Sequence, residues 1–348
     1  MSHRFAVATL FVLACSLVAP GLEAGTLLVA NKSDATLTLI DLPSGEIRAT
    51  LPTGAGPHEV AVSLDGKRAV VANYGQGDGT SLTLVDVAQG EVVKTIDLGK
   101  NSGAHGIDWV DARRVAVTTE RSRRLIVVDV DSGETIGEVS TGQAGSHMVA
   151  LSPDRKIAYV ANIGSGTITA IDLVQGKKLG DLATGLESEG IAVTPDGREI
   201  WVSNRAADTV SVVSAESFQE IVELEAPGFP IRVEITPDGS RALVSCPKTG
   251  SISIFDTAEK KLLTSVAIAE APLASPDDES RMFKDVFGKS SVPIGIEILP
   301  DGSEAWIACS QADAVVAVDL RAGKVTRLVE TGRQPDGMAY SNLDVARD

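Results

Sequence analysis

The chain has 348 residues, with 31 Lys and Arg against 47 Asp and Glu and a formal net charge of −16. A surface of that sign repels phosphate backbones, so no nucleic-acid partner is expected, while cations and basic partners are easier to accommodate. The 43% of hydrophobic residues suffice for a large core; with aromatics at only 4%, that core must come mostly from Val, Ile, Leu and Ala, a mix that favours strands.

Residues 1–24 read as a secretory signal peptide. Arg4 gives a weak positive start, residues 5–18 are apolar, and Ala24 is the small residue before cleavage. The apolar run is too short for a comfortable membrane span and is not repeated later, so no transmembrane segment is expected. A second reading takes "VLAC" (12–15) as a lipoprotein signal with Cys15 carrying a lipid anchor. Both readings export the protein to the periplasm or the extracellular space.

From residue 25 onward one unit recurs. "PHEVAVSLDGKRAVVAN" (57–73) matches "SHMVALSPDRKIAYVAN" (146–162), "SEGIAVTPDGREIWVSN" (188–204), "PIRVEITPDGSRALVSC" (230–246) and "PIGIEILPDGSEAWIAC" (293–309); "AHGIDWVDARRVAVTT" (104–119) is the same unit one residue shorter. The second residues fall at 58, 105, 147, 189, 231 and 294, and "PDGMAYS" adds a seventh at 336, so the spacing is mostly 42 residues. Each unit carries four strand signals, exemplified by "HEVAVS", "RAVVAN", "SLTLVDV" and "VVKTIDLG". They are separated by Asp- and Gly-containing turns, since Asp bonds its own backbone and Gly accepts φ > 0. A period near 42 with four antiparallel strands per unit is a propeller blade.

The first unit lacks its own first strand, and the missing strand appears at the other end as "DGMAYS". The expected fold is therefore all-β: residues 25–348 form one seven-bladed β-propeller of four-stranded antiparallel blades, closed by the C-terminal strand pairing with the first blade. The period breaks once. Residues 271–291 hold an insertion in which "DDESRMFKDVFGK" reads as a short helix with Met282, Phe283, Val286 and Phe287 on its apolar face. It is expected on the channel mouth, as a lid, a docking element or a stabilising patch.

"AYVAN", "IWVSN" and "VVAN" ahead of "TLTLID"- and "TITAID"-type strands resemble the YVTN-repeat propellers, which include YncE-like secreted proteins and surface-layer repeat proteins. The resemblance covers almost all of residues 26–341. It implies the propeller fold and leaves function open, because the family includes binders, scaffolds and enzymes. Related propellers include lactonases, an antibiotic-ring lyase and the copper-cluster domain of nitrous oxide reductase. The Trp-Asp blade ending is absent. The Trp-rich docking motif of quinone dehydrogenases is also missing, and the three tryptophans (Trp109, Trp201, Trp306) are read as out of phase.

Three of the four histidines share one repeat position: His58, His105 and His147 open the innermost strands of consecutive blades. Glu189, Ile231, Ile294 and Asp336 occupy that position in the others, so the ring reads Asp, His, His, His, Glu, Ile, Ile. Imidazoles flanked by carboxylates suit Zn²⁺, Cu²⁺ or Ni²⁺. The bland reading makes them polar rim residues in a solvated funnel. Tyr74, Glu120, Arg121 and Arg205 lie just past second-strand ends, on the same rim, and Arg232 follows its ring position. Cys246 and Cys309 replace the second-strand Asn in adjacent blades. Neighbouring blades sit about 10 Å apart, too far for a disulfide, so both thiols are expected free and buried.

No Ser-His-Asp elbow, phosphate loop or HExxH is present. The expected function is binding of a small-molecule ligand or protein partner through the axial mouth. The alternative is a metal-dependent lactonase or lyase, in which a histidine or Glu189 moves protons. A weaker one is a metal-binding accessory protein.

Overall fold

A computed structural model describes residues 24–268 and 286–346. The described strands form seven four-stranded sheets, each antiparallel in order from inside to outside. The inner strands are Pro335–Ser341, Pro57–Val62, Ala104–Trp109, Ser146–Leu151, Ser188–Val193, Val233–Ile235 and Pro293–Ile298, and we number blades 1 to 7 in that order. The seven-bladed expectation holds.

Each blade follows from its strand patterns. Second strands such as Arg68–Asn73 are near-continuous apolar runs, buried on both faces because neighbouring blades pack on either side. Val70 and Ala72 of blade 2 thus share a core with Val115 and Val117 of blade 3. The outermost strands alternate instead; Lys177–Ala183 exposes every second side chain. The recurring Asn at the second-strand end has a structural task. The Asn31 amide donates to Thr36 Oγ1 at 3.0 Å and Thr38 Oγ1 at 2.8 Å, and Asn204 donates to Thr209 and Ser211 at 3.1 and 3.0 Å. In blades 6 and 7 Cys246 and Cys309 replace it, and both thiols are free and buried.

The ring closes as its sequence phase requires. Pro335–Ser341 is the inner strand of blade 1, with Leu28 facing Ala339 on one side and Leu39 on the other. Thr26 Oγ1 also donates to the Leu343 carbonyl at 2.7 Å.

One expectation needs correction. Trp201 and Trp306 are in phase after all: each is the third residue of a second strand, Glu199–Asn204 and Glu304–Cys309. All three tryptophans are fully buried, so none forms an exposed docking ring. The proposed helix, with Met282 and Phe283, lies mostly outside the described residues. Its described end, 286–291, is turn and coil; Val286 is 62% exposed, whereas Phe287 is buried. Among the described residues no helix is long and apolar enough to cross a membrane.

Candidate functional site

The ring residues point inward because of a repeated irregularity. In blades 2, 3, 4, 5 and 7 the pairing of inner and second strand shifts register at the ring position, as between Pro57 and Glu59 or between Ser146 and Val149. Blade 1 shifts between Val29 and Asn31, opposite Asp336, and blade 6 begins its inner strand only at Val233, beyond Ile231 and Arg232. A bulge turns a side chain out of the pleat, here into the channel. Second-strand hydroxyls hold the bulges: Thr118 Oγ1 accepts the Gly106 N–H at 2.8 Å, and Ser203 Oγ accepts that of Gly190 at 2.8 Å.

Two residues before each ring position, every blade places a residue at positive φ. In the histidine blades this residue is glycine: Gly56, Gly103 and Gly145 at φ 57°, 75° and 67°. The other four blades use Glu187, Phe229, Val292 and Gln334, at φ 56°, 63°, 55° and 55°. The left-handed region is unfavourable for residues other than glycine, most of all for β-branched Val292. The glycines are also required by close approach, since a Cβ on Gly56 would collide with the Gly75 carbonyl and one on Gly145 with the Ile163 side chain; of the other four residues, Glu187 lines the funnel.

The result is a funnel of about 490 Å³ with three kinds of wall. Blades 2 to 4 give His58, His105 and His147, with Tyr74 and Glu120 above them. Blades 6 and 7 give an apolar wedge in which Ile231 and Ile294 pack with Val292 and Phe287, beside Phe229. Blades 5 and 1 flank these with Glu187, Glu189 and Arg205 on one side and Lys32 and Asp336 on the other. Every site residue expected from the sequence therefore lines one cavity, apart from Arg121.

The imidazoles form a close, tilted cluster. The His105 ring centroid lies 3.8 Å from that of His58 and 3.6 Å from that of His147. His147 donates from Nδ1 to Glu120 Oε2 at 2.8 Å, and its Nε2 is 3.4 Å from Glu189 Oε1. His58 stands likewise between Glu59, 3.3 Å from Nδ1, and Asp336, 3.5 Å from Nε2. Burial, together with neighbouring cations, holds the His58 pKa well below the ordinary histidine range, and burial with the two flanking histidines does the same for His105. Burial opposes charge on His147 too, but its bonds to Glu120 and Glu189 outweigh it and raise its pKa. Burial and the Glu120 charge push the Tyr74 hydroxyl up to about 12, so it stays protonated and donates to Glu120 Oε1 at 3.2 Å.

Arg232 forms the floor. Its guanidinium bonds Glu59 from across the axis and lies 3.4 Å from Glu189 and 3.6 Å from Asp336. Burial works against the Glu189 carboxylate, but His147, Arg205 and Arg232 pull its pKa down to about 2. Below Arg232 is a second chamber of about 380 Å³, bordered by Asp108, Glu234 and Glu297. Arg232 borders both chambers and, with Glu59, Glu189 and Asp336, lies between them.

Sequence reading missed Lys32, Glu59 and Glu187. Lys32 follows the second-strand Asn31, as Tyr74 follows Asn73, so its phase carried the signal. Glu59 follows its ring position as Arg232 does, where four blades have Gly and one has Met148; two opposite charges at an otherwise uncharged position were the clue.

Known proteins agree with this architecture. A family model described as a YNCE-like beta-propeller matches residues 106–277. A seven-bladed beta-propeller protein of Mycobacterium tuberculosis is 30% identical over 128 residues, a match spanning 35% of this chain and 30% of that relative. Among solved structures, a chain of Kuenenia stuttgartiensis hydrazine synthase superposes with a TM-score of 0.66 at 17% identity, covering 92% of this chain and 99% of that one. A functionally unknown protein of Desulfotomaculum acetoxidans superposes with a TM-score of 0.73 at 15% identity, covering 92% and 100%. At these identities the structural likeness is one of fold alone. Repeat phase, ring closure and the matched family model together identify the chain as a YncE-like seven-bladed β-propeller.

Proposed function

We propose that the protein is an exported binding protein whose axial funnel takes a small organic ligand of mixed polar and apolar character. The observation that carries this reading is the sectored lining above the Arg232 cluster: imidazoles on three blades, an apolar wedge on two, and a cation beside a carboxylate on each flank. A drained, solvent-filled channel needs neither the Arg232 floor nor side chains at positive φ around its mouth. The volume lies within the usual range for ligand sites, roughly 300–1,000 Å³. Lys32 and Arg205 suit an acidic group, and Ile231 with Ile294 suits the apolar remainder. Export rests on the composition of residues 1–24 and is part of the proposal.

The test is thermal stabilisation by a panel of amino acids, hydroxy acids, aromatic carboxylic acids and amines. A ligand that binds only the folded state at about a hundred times its Kd stabilises by about 2.7 kcal/mol. At least one class should raise the melting temperature. Ile163→Trp, which fills the rim of the funnel from a half-buried position, should abolish the shift without lowering the ligand-free melting temperature. A panel without effect, or shifts that survive Ile163→Trp, would overturn the reading.

A further inference from the structure

His105 is fully buried, and among the described residues neither of its ring nitrogens has a hydrogen-bond partner. An imidazole offers at least one donor and, when neutral, one acceptor, and buried polar groups are almost always satisfied. A core histidine kept for packing would bond a backbone carbonyl or a hydroxyl. The tilted rings of His58 and His147 flank His105 instead, with centroids at 3.8 and 3.6 Å. The surroundings of its nitrogens are rich in lone pairs: two more imidazoles and the carboxylates of Glu59 and Glu120.

These donors converge. One atom each from His105, Glu120 and His147 lie within 4.8 Å of one another, and His58, Glu59 and His105 form a second such set. The two sets are not equivalent. Glu59 is already engaged by the Arg232 guanidinium, whose charge also opposes a cation on that side. Among the described residues Glu120 bonds Tyr74 and His147, and His147 Nδ1 is turned toward it at 2.8 Å.

We propose that a divalent transition-metal ion binds beside His105, with His105 and His147 as nitrogen donors and Glu120 as the anchoring carboxylate. Two imidazoles and one carboxylate favour Zn²⁺, Co²⁺, Ni²⁺ or Cu²⁺ over Mg²⁺ and Ca²⁺, which prefer oxygen shells. The inference deepens the reading of the funnel as a binding site, since a metal at this depth presents its open face to whatever occupies the funnel.

The experiment is calorimetric titration of the tag-free chain with ZnCl₂ and CoCl₂ at neutral pH, with MgCl₂ and CaCl₂ as controls. His3→Ala serves as the parent, because His3 near a free amino terminus can chelate metal by itself. One saturable site for Zn²⁺ and Co²⁺ is expected, micromolar or tighter, without a response to Mg²⁺ or Ca²⁺. Bound Co²⁺ should show visible absorption from nitrogen ligation. Glu120→Gln, at a half-buried position, should weaken binding by about 10–100-fold. His105→Gln should remove it. Absence of saturable binding, or affinity unchanged in both variants, would overturn the site and leave water as the partner of His105. If His105→Gln does not fold, unchanged affinity in Glu120→Gln is sufficient to reject it. The ligand panel, repeated with EDTA, keeps the two readings apart: stabilisation by an organic ligand without Zn²⁺ binding sinks only the metal, and Zn²⁺ binding without any panel response sinks only the organic ligand.

Discussion

Arg232 and Glu59 occupy the same repeat position, one residue past the ring, in blades 6 and 2, and they meet on the propeller axis. Both residues are buried, at 5% and 8% exposure. Since Asp336 of blade 1 and Glu189 of blade 5 also face the guanidinium, one side chain ties together four blades that share no strand pairing.

Removing one partner of such a cluster should cost more than the cluster contributes, because the remaining charges stay buried. Arg232→Met strands Glu59 and leaves Glu189 to Arg205 and Asp336 to Lys32; it is expected to destabilise by about 3–5 kcal/mol. Glu59→Gln leaves Arg232 with Asp336 and Glu189 and should cost less. The double variant should be less damaging than the sum of the two, with a coupling energy of about 0.5–3 kcal/mol. Urea denaturation of the four proteins measures this, and strict additivity would mean that the contact is not energetically real.

Ring closure makes the last inner strand indispensable. Deleting residues 335–348 strips Thr26–Asn31 of its inner neighbour, exposes an unpaired edge and removes the Asp336 carboxylate from the axis. The truncated chain should melt at a markedly lower temperature and expose apolar surface, detectable by dye binding. A melting curve like that of the full chain would refute closure by this strand.

The propeller was legible because each blade repeats both its apolar runs and its turn residues, and because the displaced strand fixes ring closure. The histidine arc was legible for the same reason: repeats in phase occupy equivalent places around an axis. What the sequence hid were departures from the repeat. Glu59 and Arg232 are charges of opposite sign at a position that is otherwise Gly or Met, and only the closing of the ring brings them together. The bulges that aim His58 and Asp336 inward depend on pairing register, which strand pattern alone does not specify. The glycines at 56, 103 and 145 looked like ordinary turn residues until the other blades showed Phe229 and Val292 held at the same positive φ.

Cys246 and Cys309 should remain reduced and unreactive in the folded protein. Cys246 Sγ lies 3.6 Å from Ser253 Oγ in the place where other blades have Asn, and burial pushes the Cys309 thiol up to about 12. Thiolate is the reactive form, so a buried thiol of raised pKa is inert near neutral pH. An aromatic disulfide reagent should label neither thiol before unfolding and both afterwards, without added reductant. Rapid labelling of native Cys309, or none in denaturant, would contradict the blade packing described.

The final prediction concerns acid stability and rests on Glu189. Its folded pKa, about 2, lies below the ordinary glutamate value of 4.5 because its bonds to His147 and the charges of Arg205 and Arg232 outweigh the cost of burial. A depressed carboxylate contributes stability that is fully present above its unfolded pKa and is lost as pH falls through the folded one. The window is therefore from about 4.5 down to about 2. With a shift of that size the contribution is of order 3 kcal/mol. Glu59, whose carboxyl burial holds up, titrates with the opposite sign, so total stability is a poor readout and a variant comparison is needed. Glu189→Gln should be less stable than the parent by that order at pH 6 and should converge with it near pH 2. A difference that stays constant across this range would mean that Glu189 contributes through shape and hydrogen bonding, not through its charge.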